Sequence, residues 1–256
     1  MRLNMGDRTE QLASAIQSAE RGERPTLLLE SRRPPVGRPF SPGPEKDLLP
    51  HLEALALGFS RPGKATLLLP ELVLPFGVAD LAVIIVGPAA LRARLALNVP
   101  PILNDTDASI LSVLGARPLR ADTIAKRLDW PLSTVLRRVP ILRRSGAILE
   151  TRSGSYRSAG IGPMGQTIAL EAKVKDWRGA IAQARTYGLW CDRSAVVLGK
   201  ALSSWQDVTV AATNAHLGLA VEGSWTLRPP LRKLPQKQRI IASESFLAGL
   251  VGYRPT

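Results

Sequence analysis

The chain has 256 residues, 45% of them hydrophobic and 21% charged, with a net charge of +13; this composition suits one large globular core or two modest ones. A single cysteine, Cys191, and two histidines, His51 and His216, exclude an internal disulfide and speak against a Cys/His zinc site. No apolar run reaches the roughly 18 residues of a spanning helix, and Met1 to Arg8 lacks the apolar centre of a secretory signal, so the expectation is a cytoplasmic protein with no membrane partner.

Leu12, Ile16 and Ala19 stand at helical spacing and predict a helix over 6–22, stopped at Gly22. Ser31 to Pro44, rich in Pro, Gly and Arg, predicts a linker. A helix is expected over 48–59 and a strand over 65–74, broken by Pro70. Val78 to Val86 is an apolar strand with one charge, Asp80; a short helix over 89–97 follows, and Asn98 to Pro101 marks a boundary. Three helices come next, Asp107–Leu114, Arg120–Leu128 and Pro131–Arg144. The third begins with proline at a favoured first-turn position, and Pro140 within it predicts a kink or break. Ala147–Arg152 and Tyr156–Ser158 flank a Gly-containing turn and read as a hairpin. Beyond 160 the pattern alternates: strand 167–175, helix 176–190, strand 194–199, a helix within 203–216 and a strand over 217–225. A basic stretch over 228–239 then leads to a last helix near 243–250.

Charge is uneven along this order. Residues 1–60 carry eight basic and eight acidic side chains, 103–159 ten against five, and 161–256 twelve against six. Basicity concentrated beyond residue 100 is the footprint of a nucleic-acid partner. Arginine in excess of lysine has a separate reading: with abundant Ala, Leu, Gly and Pro it looks like the codon bias of a high-GC bacterial genome. Within the three-helix segment Ser133, Thr134, Arg137 and Arg138 crowd the third helix, Arg143 and Arg144 lie at its end, and Arg152, Tyr156 and Arg157 decorate the hairpin. Arginine pairs with guanine or phosphate, and hydroxyls reach either. Three helices followed by a hairpin resembles the winged helix-turn-helix family. The resemblance implies that the third helix enters the major groove of duplex DNA while the hairpin touches the backbone or minor groove.

The strand over 167–175 alternates. Ile168, Leu170, Ala172 and Val174 point to one side, and Glu171 and Lys173 to the other. A carboxylate and an amine meeting at one spot suit a metal site, with the ammonium beside the reacting water or phosphate. Asp80 is a second carboxylate in an apolar strand, costly to bury unless it is paired or metal-bound. Gln183 and Tyr187 then occupy one face of the following helix at i and i+4.

This order of residues resembles the PD-(D/E)XK nuclease superfamily, particularly its RecB-like branch, over 45–100 and 165–225. The resemblance implies an α/β fold, a restriction-endonuclease-like mixed central sheet flanked by helices. Asp80, Glu171 and the Ala172 carbonyl would hold Mg²⁺ or Mn²⁺. Lys173 would orient or activate water, and Gln183 and Tyr187 would contact DNA or steady the site. The family also adds an acidic residue from the first helix, for which Glu53 is the candidate and Glu45 and Glu71 are alternatives. Asp80 and Glu171 are 91 positions apart, whereas the superfamily keeps these strands close in sequence, so a DNA-binding segment inserted between two core strands is expected. The resulting organisation is an N-terminal helix and linker (1–44), a first core part (45–102), a winged-helix domain (103–160) and a second core part with a basic tail (161–256).

The function expected is metal-dependent hydrolysis of DNA, endonucleolytic in mode, in restriction, defence or repair. Symmetric duplex cutting would call for a homodimer. Two other readings stay open: a winged-helix transcription regulator with an inactive nuclease-like core, and a transposition or recombination subunit that cuts only beside a partner.

Overall fold

A computed structural model describes residues 5–29, 44–74, 77–115 and 117–253. The predicted linker lies outside them except for Pro44. In chain order the first elements are α1 (Met5–Glu20), β1 (Thr26–Leu28), a short 3-10 helix (Pro44–Leu48), α2 (Leu49–Leu57), β2 (Ala65–Leu74) and β3 (Gly77–Val86). Next come α3 (Pro88–Ala96), α4 (Asp105–Val113), α5 (Ala121–Leu128), α6 (Leu132–Arg144), β4 (Ile148–Glu150) and β5 (Tyr156–Ser158). The last are β6 (Gly165–Lys173), α7 (Trp177–Tyr187), β7 (Arg193–Leu198), α8 (Trp205–Asn214), β8 (Gly218–Val221), β9 (Ser224–Leu227) and α9 (Gln236–Val251). The chain divides into two compact units, 1–88 with 165–234 and 89–164 with 235–256.

The first unit is α/β, a mixed seven-stranded sheet in the order β1-β2-β3-β6-β7-β8-β9, flanked by helices. β3 runs antiparallel to both β2 and β6, β6, β7 and β8 run parallel to one another, and the edges are closed by β1, parallel to β2, and β9, antiparallel to β8. β6 is the central strand and β3 lies beside it, its residues Leu81 to Val86 all buried. The period of two sorts the faces: Leu81, Val83 and Ile85 of β3, Ile168, Leu170 and Ala172 of β6, and Ala195 and Val197 of β7 pack with Leu52, Leu55 and Ala56 of α2. Asp80, Glu171 and Lys173 therefore fall on the opposite face.

Two strand predictions change. Pro70 does not break β2, because it pairs with Leu81; the irregularity comes one residue later, at Glu71, whose φ is +51°. The strand expected over 217–225 is two strands, β8 and β9. They are joined at Glu222 and Gly223, which have φ +49° and +76° and make the double left-handed turn suited to a tight hairpin. Glycine is needed there, since a Cβ at Gly223 would lie 2.9 Å from His51 Nδ1.

The second unit holds α4, α5 and α6, the hairpin β4–β5, and α9. α4 is N-capped by Asn104, whose side chain accepts from the N–H groups of Thr106 and Asp107. Ile110, Leu111, Ile124, Val135, Val139 and Leu142 form its core with Ile240 and Ile241 of α9. α6 continues through Pro140, which is exposed.

Of the stretch expected as a basic tail of the sheet unit, residues 228–234 stay with that unit, whereas from Pro235 the chain joins the second unit as α9. The reason is burial: ten residues of α9 are buried, among them Glu244, whose carboxylate takes a bidentate pair from Arg94 at 2.8 and 2.7 Å and the Ile102 N–H at 2.9 Å. Residues 89–102, expected in the core, belong to this unit as well. Among the described residues no helix is long and apolar enough to cross a membrane.

Candidate active site

β3 and β6 pair from Val86–Gly165 as far as Leu81–Leu170. One step further the register would set Asp80 against Glu171, and there the ladder gives way to a side chain: Asp80 Oδ2 accepts the N–H of Ala172 at 2.7 Å. The N–H and C=O of one strand residue point to the same edge, so the Ala172 carbonyl faces Asp80 rather than the ladder with β7.

α7 supplies the roof. Asp176 caps it by accepting the Gly179 N–H at 2.9 Å, and its inward positions Ala180, Ala184 and Tyr187 are buried. Tyr187 Oη lies 2.5 Å from Glu171 Oε2 and 2.7 Å from the Val78 carbonyl, and Gln183 Nε2 donates to the same carbonyl at 3.3 Å. Lys173 Nζ donates to Glu171 Oε1 at 2.8 Å. Glu171 is wholly buried, whereas Lys173 is 22% exposed.

A tyrosine hydroxyl has one proton, so it cannot donate to both Val78 and an ionised Glu171. Both contacts are satisfied when Glu171 is protonated, donating to Tyr187 Oη while Tyr187 donates to Val78. Electrostatics agrees. Burial, then the nearby Asp80 charge, pushes Glu171 up to about 7, against the opposing pull of Lys173 and Tyr187. Burial also raises Asp80, aided by the charges of Glu45 and Glu71 and opposed by the Ala172 N–H and Lys173. For Lys173 burial works against the charge, but its bond to Glu171 and the charges of Glu171, Asp80 and Glu45 outweigh it and raise its pKa. The Tyr187 hydroxyl is pushed up by burial and by the Glu171 charge.

Asp80, Glu171, Lys173, Gln183 and Tyr187 are thus brought together. Glu53 on α2 is not among the residues whose charges act on Asp80, Glu171 or Lys173; Glu45 acts on Asp80 and Lys173, and Glu71 on Asp80. Of the three acidic candidates, Glu45, at the start of the 3-10 helix, thus acts on the most members of the cluster. The Val78 carbonyl, on which Gln183 and Tyr187 converge, carries no signal in the sequence, since a backbone acceptor has no residue type.

Among the described residues no group of three or more His, Cys, Asp or Glu side chains is placed to hold a metal ion. The donor chemistry nonetheless fits a hard cation: two carboxylates, the charge of one favouring the protonated form of the other, share one ammonium, beside an inward-facing carbonyl. The mutual repulsion of Asp80 and Glu171 is relieved either by a proton or by a cation.

In the second unit the predicted DNA contacts separate. Arg138 is taken up internally, in a bidentate pair with the buried Asp107 of α4 at 2.8 and 2.5 Å. Arg143 pairs with Glu150 of β4. Ser133, Arg137, Arg144, Arg152 and Arg157 are exposed, and Thr134 and Tyr156 are half-buried. Comparisons with protein-family models, with curated proteins and with solved structures find no match.

Proposed function

We propose that the chain is a DNA-binding, metal-dependent nuclease, with a restriction-endonuclease-like first unit and a winged-helix second unit. The observation that carries this reading is the meeting of Asp80, Glu171 and Lys173, from strands separated in sequence by the larger part of the second unit, where the β3–β6 ladder opens. A phosphodiester is anionic, so its hydrolysis needs positive charge at the site before a nucleophile can approach. Asp80, Glu171 and the Ala172 carbonyl would hold Mg²⁺ or Mn²⁺, which supplies charge neutralisation and lowers the pKa of water. Lys173 brings a partly exposed ammonium to the same place and orients the attacking water. Tyr187 and Gln183 hold the Val78 carbonyl and Glu171 in position, and the exposed arginines of the second unit deliver duplex DNA.

A second reading, a regulator whose core performs no chemistry, is favoured by one observation: Lys173, Tyr187 and the Ala172 N–H already satisfy both carboxylates. Cleavage of supercoiled plasmid in Mg²⁺ or Mn²⁺ separates the two. The nuclease nicks or linearises the plasmid, and both EDTA and Glu171→Ala abolish the activity. DNA that is shifted on a gel but never cut, in either metal, points to the regulator or to a subunit that cuts only beside a partner. Cutting that survives Glu171→Ala refutes this placement of the site.

A further inference from the structure

α6 buries Val135, Val139 and Leu142 and turns its other side to solvent. On that side Leu132 is 43% and Leu136 52% exposed, and Pro140 is exposed one turn further on. One exposed leucine is ordinary, but positions i, i+4 and i+8 make a continuous apolar stripe along the helix. Ser133, Arg137 and Arg144 run beside it, all exposed.

The unit's acidic side chains are largely engaged elsewhere: Asp105 with Lys237, Asp107 with Arg138, Glu150 with Arg143 and Asp122 with Arg120. Neither Arg137 nor Arg144 has an ion pair among the described residues. The face is therefore apolar along its middle and cationic along one margin. Its complement is a polyanion with an apolar feature at the floor. Single-stranded nucleic acid would be met by aromatic stacking, and α6 carries no aromatic residue. The core of a protein–protein interface draws on aromatic and methionine anchors as well as arginine, and α6 carries neither an aromatic residue nor a methionine. A duplex major groove admits an α-helix, and the apolar group on its floor is the thymine C5-methyl.

We propose that Leu132 and Leu136 read thymine methyl groups in the major groove, with Arg137 and Arg144 on the flanking phosphates or guanine. This rests on the DNA-binding half of the function proposed above and adds the base feature that is read. The test uses the full-length protein in EDTA, so that failure of the nuclease reading leaves it intact. A duplex is selected from a random-sequence pool, and each thymine is then replaced by uracil, which removes only the methyl. Wild type should bind about three- to tenfold more weakly at one or more positions, the scale of one lost methyl contact. Leu132→Ala or Leu136→Ala, with unchanged thermal unfolding, should lose that difference. Uracil duplexes bound as tightly as thymine duplexes overturn the proposal, as does a methyl dependence that persists in both variants. Binding without sequence preference overturns it while leaving DNA binding in place, and binding to no duplex removes both. Self-association that Leu136→Ala abolishes, without methyl dependence, assigns the face to a second copy of the chain.

Discussion

Glu171 receives Lys173 on one oxygen and contacts Tyr187 on the other, yet it titrates near 7 because burial and Asp80 outweigh both. Its pKa in the folded chain lies above the ordinary value of 4.5. The stability it contributes is thus complete below about 4.5 and is lost as pH rises through about 7. Wild type in EDTA should lose roughly 3 kcal/mol across that window, from a shift of about two and a half units. Glu171→Gln cannot ionise and should escape the loss, so the variant's stability relative to wild type rises from pH 5 to pH 8. Denaturant unfolding at both values checks the sign, and a relative stability that falls instead would show that Glu171 is ionised when folded. Tyr187→Phe removes the hydroxyl that serves both Val78 and Glu171 and should cost about 1–2 kcal/mol. When Glu171 ionises, the hydroxyl turns from Val78 to donate to the carboxylate and so lowers its pKa, and the pH dependence of stability should move to higher pH in the variant. An unchanged midpoint would place the hydroxyl outside the titrating network.

Helical periodicity locates α4, α5 and α6 to within two residues, because each has a single buried stripe. The alternation of β6 likewise gives the shared side of Glu171 and Lys173. Features that depend on distant partners were not legible. Arg138 sits among exposed arginines in the sequence, and nothing local shows that Asp107, 31 positions away, captures it. Only the fold distinguishes Arg138 from Arg137. Arg138→Ala leaves Asp107 unpaired in a mostly buried place and should destabilise the second unit by about 2 kcal/mol. Arg137→Ala should leave thermal unfolding unchanged and weaken duplex binding. Calorimetry and fluorescence anisotropy on the two variants should give opposite patterns. If Arg138→Ala melts like wild type and loses DNA affinity, Arg138 is a reader and the Asp107 pair is expendable.

For the whole molecule, the sheet unit is made from two stretches of chain and the helical unit from two others, the last of them α9. Charge alone marks 228–239 as a tail, and it cannot show that the residues after Pro235 return to a core formed more than a hundred positions earlier. That return depends on Glu244, a fully buried carboxylate whose oxygens meet the Arg94 guanidinium, 3% exposed, and the Ile102 N–H. Removing one member of such a pair leaves the other charge buried and uncompensated, which costs about 3–5 kcal/mol. Domain stabilities are only about 5–15 kcal/mol, so Glu244→Ala should expose much of one unit to opening without touching the contacts of the other. Amide exchange resolves this by residue. In the variant the amides of α4, α5, α6 and α9 should exchange markedly faster, while those of β2, β3, β6 and β7 keep wild-type protection. Equal loss in both sets would mean that the chain unfolds as one cooperative body and that the division into two units has no energetic counterpart.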